Sequence, residues 1–506
     1  MKNALRKLAF PLLQTLLIFS VKAQQRPVGI FDGSQDIGKG INSGTATYVQ
    51  TTQQYVVSGG NHNIRNNYDE LHYVYKKIKG DFLLYTRAGF EDRNGADPRS
   101  KMGWMVRRSL ADNSAQVAAV AHGDGLTAMH NRRAASATTG ETRAKVSHAN
   151  VLQLERNGNT YTMRVAAFGQ PFEVQQVANL DLGDEVYVGL FVGSHKADRM
   201  ETGVFRDVRI SVPAPKSLAP YRGYLASQVE VLDVASGHRE VVYSSPKSLQ
   251  APNWRPDSNS LVYNSDGQMF NLDLSTRQPT LLPTGDVQNN NNDHVLSFDG
   301  KMLGLSSGVD KLGGSIVYTV PSAGGTPRQV TPSGPSYLHG WSPDGQSLVF
   351  TGQRNNDFDI YRVPAGGGPE IRLTTAPGLD DGPEYTPDGQ YIYFNSNRTG
   401  TMQLWRMKPD GSQQEAVTTG EFQDWFPHIS PDGKWIAFLS FLKEEVPATD
   451  HPFYKHVYLR LLPIAGGQPK VIAYVYGGQG SMNTPSWSPD SKRIAFVSNT
   501  GSIISQ

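Results

Sequence analysis

Three histidines, His294, His339 and His428, stand just ahead of three copies of one turn sequence. Amides and carboxylates crowd the same stretches: Asn292-Asp293-His294, Tyr337-Leu338-His339, Asp380-Asp381-Gly382, Gln423-Asp424-Trp425-Phe426-Pro427-His428 and Met482-Asn483-Thr484. Imidazole and carboxylate in one place hold a divalent metal or pass a proton near neutral pH. Arg354 and Arg398, a little further along their own copies, would add fixed positive charge. The catalytic candidates are therefore His339, Arg354, Arg398 and His428. The candidates for ligand binding are His294, His339, Asp381, Asp424, Trp425, His428 and Asn483. These residues are far apart in the chain, so only a repeating framework can gather them.

The turn sequence supplies that framework. It appears as Trp254-Arg255-Pro256-Asp257-Ser258, Ser297-Phe298-Asp299-Gly300, Trp341-Ser342-Pro343-Asp344-Gly345, Thr386-Pro387-Asp388-Gly389, Ser430-Pro431-Asp432-Gly433 and Trp487-Ser488-Pro489-Asp490-Ser491. Successive aspartates are 42, 45, 44, 44 and 58 residues apart. A period of about 40–50 residues is that of a four-stranded propeller blade. Proline presets φ and glycine closes the turn. Apolar strands such as Leu348-Val349-Phe350 follow, then outer strands such as Arg372-Leu373-Thr374. The last copy ends after the inner strand Arg493–Val497, and its missing outer strands match Gln228–Leu232 and Glu240–Tyr243 upstream. Six blades closed by strands from both ends of the repeat region are expected, and closure removes exposed sheet edges. In such a ring the segments entering the innermost strands meet at one mouth of the central channel. The fifth copy carries an insertion, Lys443 to His456, with Asp450-His451-Pro452 and His456. It reads as a lid, a domain-contact loop or a catalytic loop.

The first half is also strand-like. Leu71–Tyr75, Val186–Val192 and Val204–Ile210 follow a period of two, and Leu152–Arg156 and Thr160–Arg164 flank an Asn157-Gly158 turn. A sandwich or barrel over residues 26–213 is expected, then a proline-marked linker over 214–222, then the propeller over 223–506. Trp104 reads as core. Asp92, Asn94 and Asp97 have calcium-like spacing but are also ordinary turn residues. His122 and His130 read as exposed loop residues.

Lys2, Arg6 and Lys7, the apolar run Leu8–Val21 and the small-residue site at Ala23 predict a signal peptide over 1–23. The mature protein is expected in the periplasm or secreted. No later stretch is long and apolar enough to span a bilayer, so no transmembrane segment is expected after cleavage. With no cysteine, a lipid anchor on cysteine, disulfides and thiolate metal sites are excluded. Lys and Arg number 48 against 46 Asp and Glu, with no basic stripe, so nucleic acid is not an expected partner.

The Trp-Ser-Pro-Asp-Gly repeat resembles the TolB-like (PD40/WD40-like) six-bladed β-propeller family. The resemblance implies a periplasmic protein that binds partner proteins through its propeller. The family's founding member has a helix-bearing N-terminal domain, from which this strand-rich first half departs. Tyr55–Gly60, Asp69–Tyr75, Gly80-Asp81-Phe82, Gly103–Arg107 and Val186–Leu190 make the first half similar to concanavalin-like lectin/glucanase jelly rolls. That likeness implies a sugar on the sandwich. Gln423 and His428, near a Ser-Pro-Asp-Gly turn, also resemble the manganese-type site of oligogalacturonate lyases, with His339 as a further ligand and Phe426 where a histidine would stand. His339, Gln423 and His428 are thus the metal candidates, for Mn or Ca. A serine hydrolase is excluded because no Gly-x-Ser-x-Gly elbow occurs. The expected fold class is all-β, a jelly-roll sandwich and a six-bladed propeller. The expected function is a non-catalytic binding module for envelope proteins or glycans. The alternative is a polysaccharide lyase working at the propeller mouth.

Overall fold

A computed structural model describes residues 26–40, 42–60, 66–92, 95–219, 222–354 and 356–501. The expected signal peptide lies outside the described residues. The described chain is all-β; its helical turns are short 3-10 segments, and no helix is long and apolar enough to cross a membrane.

Residues 33–211 form two seven-stranded antiparallel sheets. One runs in the order Gly33–Ile37, Leu71–Lys79, Glu185–Gly193, Lys101–Arg107, Gln116–His122, Thr127–Arg132, Gly140–Arg143. The other runs Glu173–Val177, Thr160–Ala166, Val151–Asn157, Phe82–Phe90, Glu201–Ser211, Gln54–Gly59, Thr45–Val49. Alternate residues of both, including Val74, Trp104, Val188, Leu84, Leu152 and Phe205, bury into one cluster. The period-two pattern therefore becomes a two-layer sandwich. Trp104 is core, as expected. In the predicted hairpin Asn157 still pairs with Thr160, and the positive φ falls on Gly158 at +58°.

The second half is a ring of six sheets. Five are four-stranded; the sixth joins Arg493–Thr500 to Ala226–Asp233 and Arg239–Ser245, with its innermost strand reduced to the Trp487–Ile494 bridge. The closure read from the sequence is the one observed. Each repeat aspartate caps its own turn. Asp344 accepts from the Ser342 hydroxyl at 2.5 Å and from the Gln346 N–H at 3.0 Å, and Thr386–Asp388, Ser430–Asp432 and Ser488–Asp490 repeat the bond at 2.6 Å. The repeat tryptophans tie blades together. Trp341 donates its indole N–H to the Val295 carbonyl and Trp487 donates to that of His428.

The chain crosses from sandwich to ring without a strand between Ser211 and Ala226, and the two halves pack on each other. The Gln53 side chain exchanges two 3.0 Å bonds with the Val241 backbone. Leu83, Tyr85 and Val151 of the sandwich share a buried cluster with Tyr458, Val471 and Tyr474 of the ring. At the centre of this seam Glu230, fully buried, accepts from Arg239 at 2.8 and 2.9 Å, Arg209 at 2.7 Å and Ser498 at 2.6 Å.

Candidate functional site

Every fully formed innermost strand of the ring carries a register irregularity. The shifts fall between Gln250 and Asn253, Asn290 and His294, Leu338 and Gly340, Asp381 and Glu384, and Trp425 and His428. An extra residue interrupts the in-out alternation, so residues before and after it face different surroundings. At three of these bulges the backbone is left-handed, at Ala251 (φ +52°), Gly382 (φ +63°) and Phe426 (φ +52°). A Cβ on Gly382 would meet Asn395 and Phe426 at 2.8 Å. Phe426 has a Cβ, and its N–H is held by the Asn395 side-chain oxygen at 3.0 Å. Strain of this kind persists only where the surroundings over-determine it.

The bulged ends surround a cavity of about 1000 Å³. Its floor is a chain of acids and imidazoles. His339 Nε2 lies 3.4 Å from Asp381 and 3.8 Å from Asp293. Asp381 also accepts from the Thr351 hydroxyl at 2.7 Å and faces His451 Nε2 at 3.0 Å. Asn483 donates an amide N–H to Asp293. The Phe426 ring lies parallel to the His339 imidazole, centroids 5.7 Å apart.

Burial works against charge on His339, yet the hydrogen bond to Asp381 and the charges of Asp293 and Asp381 outweigh it and raise the imidazole above its ordinary value. Burial likewise opposes the Asp381 carboxylate, but His339 and His451 hold it well below the usual range. Asp293 has weaker compensation. Burial, opposed by His339 and reinforced by Asp381, pushes it up to about 6. The mouth thus contains an imidazolium–carboxylate pair beside a carboxyl group that titrates near neutrality. It can exchange a proton or orient a polar ligand.

Of the catalytic, binding and metal candidates chosen from the sequence, His339, Asp381 and Asn483 line the cavity, with Asn292, Asp293, Tyr337, Phe426 and His451 from the segments named beside them. The others do not. His294 occupies the same place in its copy as His339, three residues before the turn serine, but is fully buried and pulled down to about 4 by that burial. His428 spends both ring nitrogens, Nδ1 at 2.7 Å from Glu384 and Nε2 at 3.1 Å from the Met482 carbonyl. Gln423 accepts from the Met402 N–H at 2.7 Å. The metal candidates His339, Gln423 and His428 are therefore engaged in three different places. Asp424 pairs with Ser440 and Arg460 inside its blade, and burial raises its carboxyl despite Arg460. Trp425 is buried, with His451 against its ring at 4.8 Å. Arg354 turns to Glu370, at 2.9 and 3.0 Å, and Arg398 to Asp380, at 2.9 and 3.0 Å. They stack on blade aromatics, Arg398 on Trp405 at 4.6 Å.

The insertion serves two ends. His451 reaches the mouth, while His456 sits between Glu445 at 3.2 Å and Glu155 of the sandwich at 3.3 Å. Asn292, Tyr337 and Phe426 belong to the segments expected at the mouth and line the cavity, although they are not among the ligand candidates; Asn289, Asn290 and Asn291, which also line it, are not named from the sequence. The asparagine run was the available signal. In the sandwich, both Asp97 oxygens are engaged, by the Arg99 N–H at 2.9 Å and Lys196 at 3.0 Å, and Asn94 lies outside the described residues. His122 and His130 are strand residues, not loop residues. With Glu141 they form the group whose potential metal-ligating atoms all lie within 4.8 Å.

The TolB β-propeller domain model matches residues 337–450. An uncharacterized protein of Agrobacterium fabrum is 43% identical over 276 residues, 54% of this chain and 93% of the relative. The chain belongs to the TolB β-propeller family. The solved structure of a TolB candidate from Agrobacterium tumefaciens is 42% identical and superposes with a TM-score of 0.52, covering 55% of this chain and 99% of that one. The oligogalacturonate lyase of Vibrio parahaemolyticus aligns over 53% of this chain and 77% of its own, at 13% identity and a TM-score of 0.34, which carries no argument about activity or metal. What the TolB-like propeller shares with its relatives is the ring.

Proposed function

We propose that this TolB-like chain is an exported, non-catalytic binding module whose propeller mouth takes a neutral or basic ligand, an oligosaccharide of the envelope. The observation that carries the reading is the lining of the mouth. Among the described residues that line it there is no Lys or Arg, against four aspartates, Asp266, Asp293, Asp357 and Asp381. Asp266 alone of these is paired with a lysine, Lys247 at 2.8 Å. The rest of the wall is rich in amides and aromatic rings, among them Asn291, Asn292, Tyr337 and Phe426. Amides match sugar hydroxyls, rings match the apolar faces of sugars, and the cavity has the volume of a small-ligand site. A uronate chain would place its carboxylates against these aspartates with no lysine or arginine among the described lining residues to receive them, and His339 and His451 already face Asp381. That disfavours the lyase alternative, as does the use of Arg354, Arg398 and His428 inside the blades.

Export rests on the expected signal peptide. A concanavalin-like sandwich would add a second glycan contact. Family membership favours a second reading, in which a protein segment occupies the mouth. A panel of neutral, basic and uronate oligosaccharides, screened for binding and for new ultraviolet absorbance of unsaturated products, tests the proposal. Binding of neutral or basic sugars without product is expected. Product from uronates would overturn it. No binding across the panel, with capture of an envelope protein, would move the reading to the protein ligand.

A further inference from the structure

We infer that the sandwich domain holds a divalent metal of the zinc class on His122, His130 and Glu141. The three residues lie on neighbouring strands at one end of the first sheet: Gln116–His122, Thr127–Arg132 and the edge strand Gly140–Arg143. His130 and Glu141 are direct cross-strand partners, so their side chains leave the same face. His130 faces Ala118, and His122 lies four residues further along that strand, on the same face by the period of two. The two imidazoles meet edge-to-face with centroids 5.8 Å apart.

Metal geometry makes these distances informative. Ligand atoms about 2.1 Å from a tetrahedral zinc are about 3.4 Å from one another. His130 Nε2 and Glu141 Oε2 already stand 3.2 Å apart. All three ligand atoms lie within 4.8 Å, so the remaining adjustment is a side-chain rotation of His122 rather than a strand movement. His122 Nε2 is buried and has no hydrogen-bond partner. A buried imidazole nitrogen left in this way is costly unless something fills its lone pair.

The environment fits in two further respects. Arg143 holds the other Glu141 oxygen at 2.9 Å, which orients the carboxylate and leaves Oε2 directed at His130. Lys101, opposite His122 across the strand pair, gives its ammonium to the Arg99 carbonyl at 3.1 Å. Two imidazoles and one carboxylate are a borderline donor set. It suits zinc and its neighbours and not calcium, which takes oxygen ligands. Three protein ligands leave a fourth position for water or an oxygen of a bound molecule.

The test uses the mature chain without a polyhistidine tag, stripped by chelator, reloaded with zinc, desalted and analysed by elemental mass spectrometry. One equivalent is expected. His122→Gln and Glu141→Gln should each weaken retention at least ~10-fold, with circular dichroism unchanged; Glu141 is on an edge strand and tolerates the isostere. His339→Ala at the propeller mouth should leave the stoichiometry untouched. Failure of the wild-type chain to retain zinc, full retention in both glutamine variants, or loss in His339→Ala would each overturn the assignment. The glycan reading of the mouth stands or falls separately, because His339→Ala reports on the mouth alone.

Discussion

The domain seam and the propeller mouth both bury carboxylates among cations, and they do so with opposite consequences. At the seam Glu230 meets two guanidiniums, and although burial opposes its charge, Arg209 and Arg239 drive its carboxyl far below the ordinary 4.5. At the mouth Asp293 and Asp381 share His339 and His451, and Asp293 is left at about 6. A guanidinium cannot shed its proton, so the seam is locked in one charge state. An imidazole can, so the mouth can redistribute protons when a ligand enters. The seam is also filled, by Tyr85, Tyr458 and Tyr474, whereas the mouth is hollow. Buried charge closed by arginine builds structure; buried charge closed by histidine beside a cavity is available for function.

The sharpest way to break this contrast is to remove one acid from each place. Glu230→Ala strands Arg209 and Arg239 in the seam and should cost about 3–5 kcal/mol in denaturant unfolding of the whole chain. Asp381→Asn should cost less, about 1–3 kcal/mol, because both imidazoles can go neutral. Equal losses would erase the distinction.

The pH dependence sharpens it. His339 is raised above its ordinary 6.5, so its contribution is present below 6.5 and lost as pH rises through the folded value. Asp293, raised from 3.8 to about 6, favours the fold while protonated, and that contribution is lost as pH rises through about 6. Glu230, depressed, contributes above 4.5 and is lost only on strong acidification. Hydrogen exchange between pH 5 and 8, a range of roughly physiological titration, should show the mouth loosening with rising pH while the strands around Glu230 at the centre of the seam stay constant. Asp293→Asn should flatten the mouth profile.

The smallest effect belongs to the partly buried edge of the seam. Glu155 is held down to about 2, against burial, by His456 and Arg164, and His456 is raised by Glu155 and Glu445 against its own burial. This clamp works fully above the ordinary glutamate value of 4.5 and below 6.5, fading as His456 loses its proton. His456→Gln should cost no more than about 1 kcal/mol at pH 6, measured by thermal unfolding.

The ring was legible because its signals are local. A Ser-Pro-Asp-Gly turn needs only neighbours within five residues, as Ser342, Asp344 and Gln346 demonstrate, and the stitched blade followed from counting strands. The mouth was legible only in part. His294 and His339 stand at equivalent points of their copies, yet one is sealed and the other lines the cavity. The register shifts differ between the two copies, falling between Asn290 and His294 in one and between Leu338 and Gly340 in the other, and no local pattern marks that difference. Arg354 and Arg398 misled for a related reason: their partners Glu370 and Asp380 lie 16 and 18 residues away, too far for a local pattern. The His122, His130 and Glu141 group was missed because His122 and His130 were read as loop residues, whereas both lie on strands and only the pairing of three strands brings them to Glu141.

The most direct measurement is calorimetric titration of the mature chain with neutral and uronate oligosaccharides of matched length, repeated on Tyr337→Ala. Binding of the neutral series, weakened about tenfold by loss of the ring, is the predicted result. Preference for the uronate series, or neutral binding unaffected by Tyr337→Ala, would contradict a neutral-glycan site at a propeller mouth whose described lining holds no lysine or arginine.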